Sequence, residues 1–227
     1  MRHDGSTFFG QVYPTSSIVK ALESRRDSID IVEVGDSIEE TARMLAEGKT
    51  IGWFQGGSEF GPRALGHRSI LADPRKPEMR DFINSKIKFR EDFRPFAPSV
   101  PLEDVGIYFD CQYESPYMIL VAPVRPEWID VIPSVIHRDQ SCRIQTVTEA
   151  SDPKYYRLLH AFKRATGVSV LLNTSFNRRG MPIVEMPAQA LDFFLRCALD
   201  VLVLNNHIVT KKPSPPNRHS QTQLRPY

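Results

Sequence analysis

Apolar residues recur at helical spacing in the segment DSIEETARMLAEGKTIGWF. Ile38, Ala42 and Leu45 share one face of a helix, and Ser37 with Glu40 has the spacing of a capping box. The glycine of AEGKT ends this helix, because glycine is the usual residue after the last helical turn. The pattern therefore predicts an amphipathic helix that leads directly into a short strand.

Helices and strands alternate along the rest of the chain. Helical periodicity predicts helices over 75–89, 152–166 and 187–196, whereas short apolar runs predict strands over 50–54, 117–124, 143–147, 168–172 and 201–204. The three prolines within 94–104 predict an extended segment followed by a turn. This order predicts a single α/β or α+β domain, in which the largely apolar strand 168–172 is buried and parallel to its neighbours.

The composition is that of an ordinary soluble globular protein, with 41% hydrophobic and 25% charged residues among 227. The net charge of +2 and the pI near 8.4 are only mildly basic. Proteins that bind nucleic acid through general electrostatics usually carry a clear excess of Lys and Arg, so RNA binding is disfavoured. Any site for an anion is therefore expected to be local.

Cysteine and histidine give no sign of a metal site or a disulfide. The three cysteines are widely spaced with no CxxC pair, and the six histidines show no HxxxH or HxH spacing. The chain begins MRHDGSTFFGQ without an apolar signal region, and no apolar stretch approaches the roughly 18 residues of a membrane span. We therefore expect a reduced, cytoplasmic protein with no structural metal and no membrane segment.

Both ends of the chain differ from the middle in composition. Residues 1–8 carry no periodic pattern, and residues 212–227 are polar and rich in proline. Such segments cannot bury enough apolar surface to fold by themselves. We expect two flexible ends around a single folded domain at 9–211.

The stretch GWFQGGSEFGPRALGHRSI, residues 52–70, holds five of the chain's twelve glycines. It lacks the Gly-Lys-Ser/Thr of a Walker A loop and the GxGxxG spacing of a dinucleotide fingerprint, so its glycines form either a structural turn or a cradle for an anion. Pro62 suits the first turn of a helix, which would place Arg63 at a helix N-terminus, where anions are favoured. Arg68 can reach the same region or pair with Glu59.

A second group of cations lies in NSKIKFREDFRPFAPS, residues 84–99. Lys86 and Arg90 fit the solvated end of a helix. Arg94 does not, because it precedes Pro95 in extended chain and lies among aromatic residues that suggest partial burial. A buried arginine needs an anionic partner, which here is either Glu91 or a ligand.

Two later segments add polar groups beside predicted strands. Arg143 begins a short strand with an apolar face, whereas Cys142 has no neighbouring base and is interpreted as a packing residue. Asn173 and Ser175 follow a buried strand at its carboxyl end, where open α/β sheets bind ligands. The stretch NRRG after them also fits a turn, with its asparagine and glycine in left-handed conformations.

These segments offer Arg, Lys, Ser and Asn, but no paired carboxylates and no Ser-His-Asp arrangement. The set favours phosphate handling by positioning and charge over acid–base hydrolysis.

Four stretches resemble, in this order, the C-terminal domain of the NodU/CmcH-type carbamoyltransferases. They are GWFQGGSEFGPRALGHRSILADPR, INSKIKFREDFRPFAPS, CRIQTV and LLNTSFNRRGMPIV, and the resemblance runs from about residue 9 to residue 211. It implies an α/β fold of the YrdC-like type, with a twisted, largely parallel mixed sheet flanked by helices.

The resemblance also implies an activity. In that family the domain makes carbamoyl-adenylate from carbamoyl phosphate and ATP with Mg²⁺, and a separate actin-like domain or subunit passes the carbamoyl group to a hydroxyl acceptor. No protein-ligated metal is implied for this chain. The implied catalytic residues are Lys88, Arg94 and Arg63, and the implied ligands of ATP and carbamoyl phosphate are Arg63, Lys88, Arg94, Arg143, Asn173 and Ser175.

The chain departs from the family pattern at three positions. Gln140 replaces a glycine, Cys142 an alanine and Met181 a common glutamate. The family's N-terminal domain has no counterpart in these residues, so we expect a partner subunit, with a homo-oligomer left open. Two other hypotheses are a non-catalytic nucleotide-binding regulatory subunit and an RNA-binding YrdC-like module, against which the modest net charge counts.

Overall fold

The computed structural model describes residues 5–213, which contain six α-helices and nine strands. The helices are α1 Thr15–Glu23, α2 Ile38–Ala46, α3 Met79–Phe82, α4 Val105–Tyr108, α5 Pro153–Thr166 and α6 Pro187–Leu195, and a π-helix over Ile83–Lys88 continues α3. The strands are β1 Ile29–Glu33, β2 Ile51–Phe54, β3 Arg68–Ala72, β4 Ala97–Pro101, β5 Leu120–Pro123, β6 Ser141–Val147, β7 Leu171–Ser175, β8 Val201–Leu204 and β9 His207–Lys211.

The strands form one mixed sheet in the order β1-β9-β8-β2-β3-β7-β4-β6-β5. Within the described residues β2–β8 and β4–β6 are parallel pairs, and the other six pairs are antiparallel. The predicted α/β class with a mixed sheet flanked by helices is confirmed, but the expectation of a largely parallel sheet is wrong.

The same correction applies to the strand predicted over 168–172. The observed strand is β7, which starts three residues later than predicted, at Leu171, and lies antiparallel to both β3 and β4. Residues 168–172 are largely apolar because all five are buried, and that burial is independent of the direction of the neighbouring strands. An apolar run therefore predicts burial and leaves strand direction open.

Each face of the sheet has its own apolar core. On one face α2 and α5 pack over Trp53, and on the other α1 and α6 share a core with Phe54, the next residue of β2. Side chains of a strand alternate between the two faces. In β7 this alternation places Asn173 and Ser175 on the face of Leu171, which belongs to the core under α5.

The sequence sets the limits of α5 as predicted. The carboxylate of Asp152 accepts from Tyr155 N–H at 3.0 Å, Pro153 is the first helical residue, and Gly167 ends the helix with φ of 80°. With 14 residues α5 is the longest helix in the described part of the chain. No helix in that part is both long and apolar enough to cross a membrane.

Other elements differ from the prediction. Ser37 does not cap α2: its hydroxyl donates to the Asn205 carbonyl oxygen (2.9 Å), and Asp36 accepts from the first N–H of the helix (3.0 Å). The strand predicted over 117–124 starts only at Leu120, because Met118 adopts a left-handed conformation with φ of 54°. The helices α1 and α4 and the strands β1, β3 and β9 were not predicted from the sequence.

The predicted flexible ends lie mostly outside the described residues, which exclude 1–4 and 214–227. In the N-terminal segment the Phe8 ring stacks on His67 with centroids 3.6 Å apart, and Phe60 N–H donates to Thr7 O at 2.6 Å. The flexibility of 1–8 and 212–227 and the domain limits at 9–211 stay predictions.

Gly66 and Gly61 allow a matched test of packing in the glycine loop. Both have φ of 122°, a backbone conformation that residues other than glycine rarely adopt. A Cβ at Gly66 would lie 2.5 Å from the Tyr155 ring, whereas one at Gly61 would meet nothing within 4 Å. We expect Gly61→Ala to lower the free energy of unfolding by about 1 kcal/mol through strain alone, and Gly66→Ala by about 3 kcal/mol because overpacking adds to the strain. Urea denaturation measures both losses, and equal losses would contradict the packing argument.

Candidate functional site

Lys88, the last residue of the π-helix, lies at the centre of the site and is only 2% exposed. Its Nζ donates to Ser175 O (2.7 Å), Ser175 Oγ (3.1 Å) and Asn177 Oδ1 (2.7 Å), all of which are neutral. Burial, aided by repulsion from Arg90 and Arg94, holds the pKa of the Lys88 ammonium well below its usual value. A bound anion would stabilise such a cation, because a buried charge without a counter-charge is costly.

The backbone around Lys88 is irregular. The helix predicted over 75–89 starts only at Met79, widens into the π-helix and ends at Phe89, which is left-handed with φ of 51°. A bulky residue in this conformation is strained, and π-helical turns occur frequently at functional sites. The chain therefore leaves the helix directly after Lys88 and turns towards the next cations.

The side chain of Asn84 holds the segment that follows the π-helix in place through hydrogen bonds. Its side chain is fully buried, with Nδ2 donating to Asp92 O (3.2 Å) and Arg94 O (3.1 Å). Its Oδ1 accepts from Arg90 Nε at 2.7 Å. One amide thus fixes both the course of the backbone and the direction of a guanidinium.

Arg90 belongs to the site, although its sequence context suggests a solvated helix end. It is half-buried, and its guanidinium lies 4.8 Å from the centre of the Phe96 ring. Burial and repulsion from Arg94 lower the pKa of Arg90 to about 10, and Arg143 adds further repulsion. Arg90 is therefore a neighbour of two of the three predicted site arginines, Arg94 and Arg143.

Arg143 and Arg63 extend the group of cations. Arg143 is half-buried in β6, and its Nε has no hydrogen-bond partner within the described range. Burial and repulsion from Arg63 lower the pKa of Arg143. Arg63 is exposed in a bend, and the helix predicted to begin at Pro62 does not form, so no helix N-terminus contributes here. Each of these cations lies close enough to at least one other to be repelled by it. We refer to Arg63, Lys88, Arg90, Arg94 and Arg143 together as the cationic cluster.

No carboxylate forms an ion pair with the cationic cluster among residues 5–213. Glu91 lies near Arg90 and Arg94 but pairs with Arg179 at 2.8 Å. In the same part of the chain no group of three or more His, Cys, Asp or Glu is placed to hold a metal ion. Uncompensated positive charge of this kind favours an anionic ligand.

Arg94 is exposed, so the predicted partial burial is wrong. The aromatic residue before it, Phe93, is 74% exposed, and only Phe96 enters the core. The chain runs along the surface until β4 begins at Ala97, and Pro95 keeps that segment extended. The aromatic residues therefore do not enclose the Arg94 guanidinium.

Ser175 lies at the carboxyl end of β7, where it was predicted. Its hydroxyl lies 3.1 Å from Lys88 Nζ and donates to Asn177 Oδ1 at 2.7 Å. Asn177 is not left-handed as predicted; in that turn Gly180 alone has a positive φ, of 78°. Asn177 serves instead as a common acceptor for the lysine and the serine.

Asn173 is buried beneath the glycine loop. Its Nδ2 donates to Ser99 Oγ (3.1 Å), Gln145 Oε1 (2.9 Å) and the carbonyl oxygen of Ala64 (3.3 Å). Its Oδ1 is buried without a hydrogen-bond partner in the described part of the structure. Asn173 therefore supports the backbone beside Arg63, and its contact with a ligand stays a prediction.

Arg68 is fully buried and does not join the cationic cluster. Its guanidinium donates to Gln55 O (2.6 Å) and Gly56 O (3.1 Å) and lies 3.6 Å from the centre of the Phe54 ring. Burial lowers its pKa to about 10. Its backbone N–H, rather than its side chain, bonds to Glu59. Arg68 thus holds the first residues of the glycine loop.

A cavity of about 420 Å³ lies on the same side of the sheet as Arg143. Its lining includes Phe8, Leu65 and Gln145 and the acidic residues Glu114 and Asp152, but no member of the cationic cluster. Gln145 and Arg143 lie two residues apart in β6 and therefore share one face of that strand, and Leu65 lies two residues from Arg63 in the sequence.

The model of the carbamoyltransferase C-terminus family matches residues 42–211. The chain belongs to this family. Nodulation protein NolNO of Sinorhizobium fredii is 44% identical over 86% of this chain and 29% of its own length. The 3'-hydroxymethylcephem-O-carbamoyltransferase of Streptomyces clavuligerus is 45% identical over 60% of this chain and 26% of its own length. The chain spans about a third of the length of the curated relatives it matches.

A solved structure with a similar fold is that of full-length HypF in the phosphate- and nucleotide-bound form. The two superpose with a TM-score of 0.53 at 19% identity, over 79% of this chain and 22% of HypF. At this identity the likeness concerns the fold alone, and it confirms the predicted YrdC-like class for this carbamoyltransferase C-terminal domain.

The departures from the family pattern have different structural consequences. Gln140 is left-handed with φ of 61°, a conformation in which glycine is unstrained. Cys142 is buried in the core with its thiol 3.1 Å from Val135 O, and burial raises the pKa of that thiol, as suits a packing residue. Met181 is partly exposed beside Arg178.

Three residues that hold parts of this site in place through hydrogen bonds were not predicted from the sequence: Asn84, Asn177 and Glu59. Asn84 interrupts the apolar positions of a predicted helix, and Glu59 is the lone carboxylate among the glycines of its loop. Either feature is a signal that a buried polar side chain binds backbone. Asn177 was noted only as a turn residue, and its sequence context carries no further signal.

The lowered pKa of Lys88 predicts a pH-dependent stability. In the unfolded chain a lysine keeps its proton up to about pH 10.4, whereas the buried ammonium releases it at lower pH. Between these values the unfolded state binds more protons, so stability rises with pH, by at most about 1.4 kcal/mol per unit. We expect the unaltered chain to gain stability relative to Lys88→Met as the pH rises from neutral towards the pKa of the unfolded lysine.

Urea denaturation across this range checks the prediction. Lys86→Met is the matched control, since Lys86 is exposed in the same π-helix, and its difference from the unaltered chain should not vary with pH. A difference that is constant for both variants would contradict a perturbed Lys88.

Proposed function

We propose that this domain forms carbamoyl-adenylate from ATP and carbamoyl phosphate. The observation that supports the proposal is the cationic cluster, in which five cations lie together without a carboxylate ion pair in the described chain. Both substrates are polyanions that repel each other, so a site that joins them must first neutralise phosphate charge. Membership in the carbamoyltransferase C-terminus family supports the carbamoyl group as the one transferred.

The proposed chemistry needs positioning more than proton transfer. Carbamoyl phosphate is cleaved by water to carbamate and phosphate, and a carbamate oxygen then forms a bond to the α-phosphorus of ATP. The bond from that phosphorus to the bridging oxygen breaks, and pyrophosphate leaves with the electron pair. The products are carbamoyl-adenylate, pyrophosphate and phosphate, which balance ATP, carbamoyl phosphate and water.

Each side chain has a role in this proposal that follows from its position in the site. Arg63, Lys88, Arg94 and Arg143 neutralise the phosphates, each charge-assisted contact contributing about 1.5–3 kcal/mol. Ser175, half-buried beside Lys88, holds the α-phosphate near the attacking oxygen. A second ligand contact is proposed for Asn173, which lies on the same face of β7.

The adenosine end of ATP is assigned in this proposal to the cavity lined by Leu65 and Gln145. Its volume of about 420 Å³ lies within the range of small-molecule sites, and the carboxylates in its lining, Glu114 and Asp152, suit an uncharged nucleoside better than a phosphate. Mg²⁺ enters as the counter-ion of ATP and so as part of the substrate.

Transfer to a hydroxyl acceptor requires, in this proposal, a separate actin-like domain or subunit in the cytoplasm. The curated relatives are about three times as long as the matched region, which leaves room for such a companion. The alternative is a non-catalytic nucleotide-binding subunit, and the strained Gln140 and the substituted Cys142 on the strand of Arg143 favour it.

One assay separates the two hypotheses. The chain is incubated with ATP, Mg²⁺ and carbamoyl phosphate, and pyrophosphate release is measured with and without carbamoyl phosphate. We expect release that depends on carbamoyl phosphate. ATP binding without such release, even with an actin-like partner added, would contradict the enzymatic proposal and favour the regulatory one.

Two substitutions test the cluster within that assay. Lys88→Ala and Arg94→Ala should each reduce pyrophosphate release by about 10- to 100-fold with folding intact, because each removes a charge-assisted contact. Lys86→Ala is the control, since this exposed lysine of the same segment lies outside the cluster and should keep full activity. Full activity in Lys88→Ala or Arg94→Ala would remove that residue from the site.

A further inference from the structure

Glu59 holds the backbone of the glycine loop through a single oxygen atom. Its Oε1 accepts from the N–H groups of Leu65 (2.7 Å), His67 (2.8 Å) and Arg68 (3.1 Å). Hydrogen bonds to an ionised carboxylate are roughly twice as strong as those between neutral groups. The three bonds hold the end of the loop against its beginning, so that residues 60–63 form an exposed, closed loop.

Arg63 lies in this exposed loop. The next residue, Ala64, has its carbonyl oxygen bound by Asn173 (3.3 Å), and the following carbonyl, of Leu65, accepts from Gln145 Nε2 at 2.6 Å. The Leu65 peptide is therefore fixed on one side by Glu59 and on the other by buried amides. The Arg63 side chain, one residue before this fixed peptide, is exposed.

The charge of Glu59 has the wrong sign for a direct contact with an anion. A carboxylate near a phosphate repels it, and the positive charge that Glu59 attracts is the buried Arg68 guanidinium. Its other oxygen, Oε2, is buried and accepts no hydrogen bond within residues 5–213. Any contribution of Glu59 to anion binding must therefore come through the loop that it holds.

We propose that Glu59 is a positioning residue that places Arg63 for the phosphates of the ligand. The inference rests on the ATP and carbamoyl phosphate site proposed above. Positioning and charge act in opposite directions: loss of the carboxylate charge alone strengthens anion binding, whereas loss of the loop anchor weakens it.

The dissociation constants of MgATP and of inorganic pyrophosphate, measured by isothermal titration, separate these effects. We expect Glu59→Ala to weaken binding about tenfold, the size of one lost charge-assisted contact. Glu59→Gln, which keeps an acceptor oxygen in place, should stay within about threefold of the unaltered chain. In an Arg63→Ala background Glu59→Ala should change binding by less than about twofold, because the positioned group is gone.

Glu185→Ala is the matched control for charge. Glu185 lines the same cleft of about 390 Å³ as Glu59 and also attracts Arg68, but its carboxylate bonds no N–H of the loop. This variant should bind as tightly as the unaltered chain or more tightly. The proposal is overturned if Glu59→Ala behaves like Glu185→Ala, or if its loss is undiminished in the Arg63→Ala background.

If Glu59→Ala does not fold, Glu59→Asp replaces it, because aspartate keeps the charge and shortens the reach by one methylene. The same tenfold loss, absent in the Arg63→Ala background, is then expected, and unchanged binding overturns the proposal. Absence of ATP and pyrophosphate binding by the unaltered chain overturns the proposed function and the role of Arg63 with it. Normal binding by the unaltered chain with no loss in the Glu59 variants overturns the role of Glu59 alone.

Discussion

Five positive side chains lie together near the carboxyl end of β7 without a carboxylate in ion-pair contact among residues 5–213, and much of the surrounding structure holds them there. Neutral oxygens do this for Lys88, and the buried amide of Asn84 does it for Arg90. Carboxylates would hold these cations more strongly, but they would also compete with a phosphate for the same charge. Neutral partners keep the cations in place and leave their charge available, at a cost in stability that a bound anion would remove.

The antiparallel pairing of β7 explains how these cations meet. Ser175 lies opposite Ser69 in β3, and Asn173 lies opposite Ala97 in β4. The loop that precedes β3 and the loop that precedes β4 therefore both arrive at the carboxyl end of β7, one carrying Arg63 and the other Lys88 to Arg94. Since β6 is parallel to β4, its early residue Arg143 lies towards the same end. A largely parallel sheet would have separated these loops.

How far the sequence predicts the site depends on the kind of interaction involved. Arg63, Lys88, Arg94, Arg143 and Ser175 could be named from motifs, since their charges and their order along the chain are visible in the sequence. The burial of Arg68 and the exposure of Arg94 could not, because both depend on which strand or surface segment carries the residue. The helix expected at Pro62 failed for a related reason: three hydrogen bonds to Glu59 impose a closed loop where local preference allowed a helical turn.

The glycine loop has little conformational preference of its own, so its shape must come from groups outside it. Asn173 and Gln145 hold it from the sheet, Arg68 holds its first carbonyl groups, and Gly66 allows it to approach Tyr155 closely. Each of these groups is buried, and most are polar. A buried polar group that loses its hydrogen-bond partner lowers the stability of the fold. A loop built in this way tolerates few changes beneath it. The glycines provide a backbone that can take the required path, and the buried polar side chains together with Glu59 determine which path it takes.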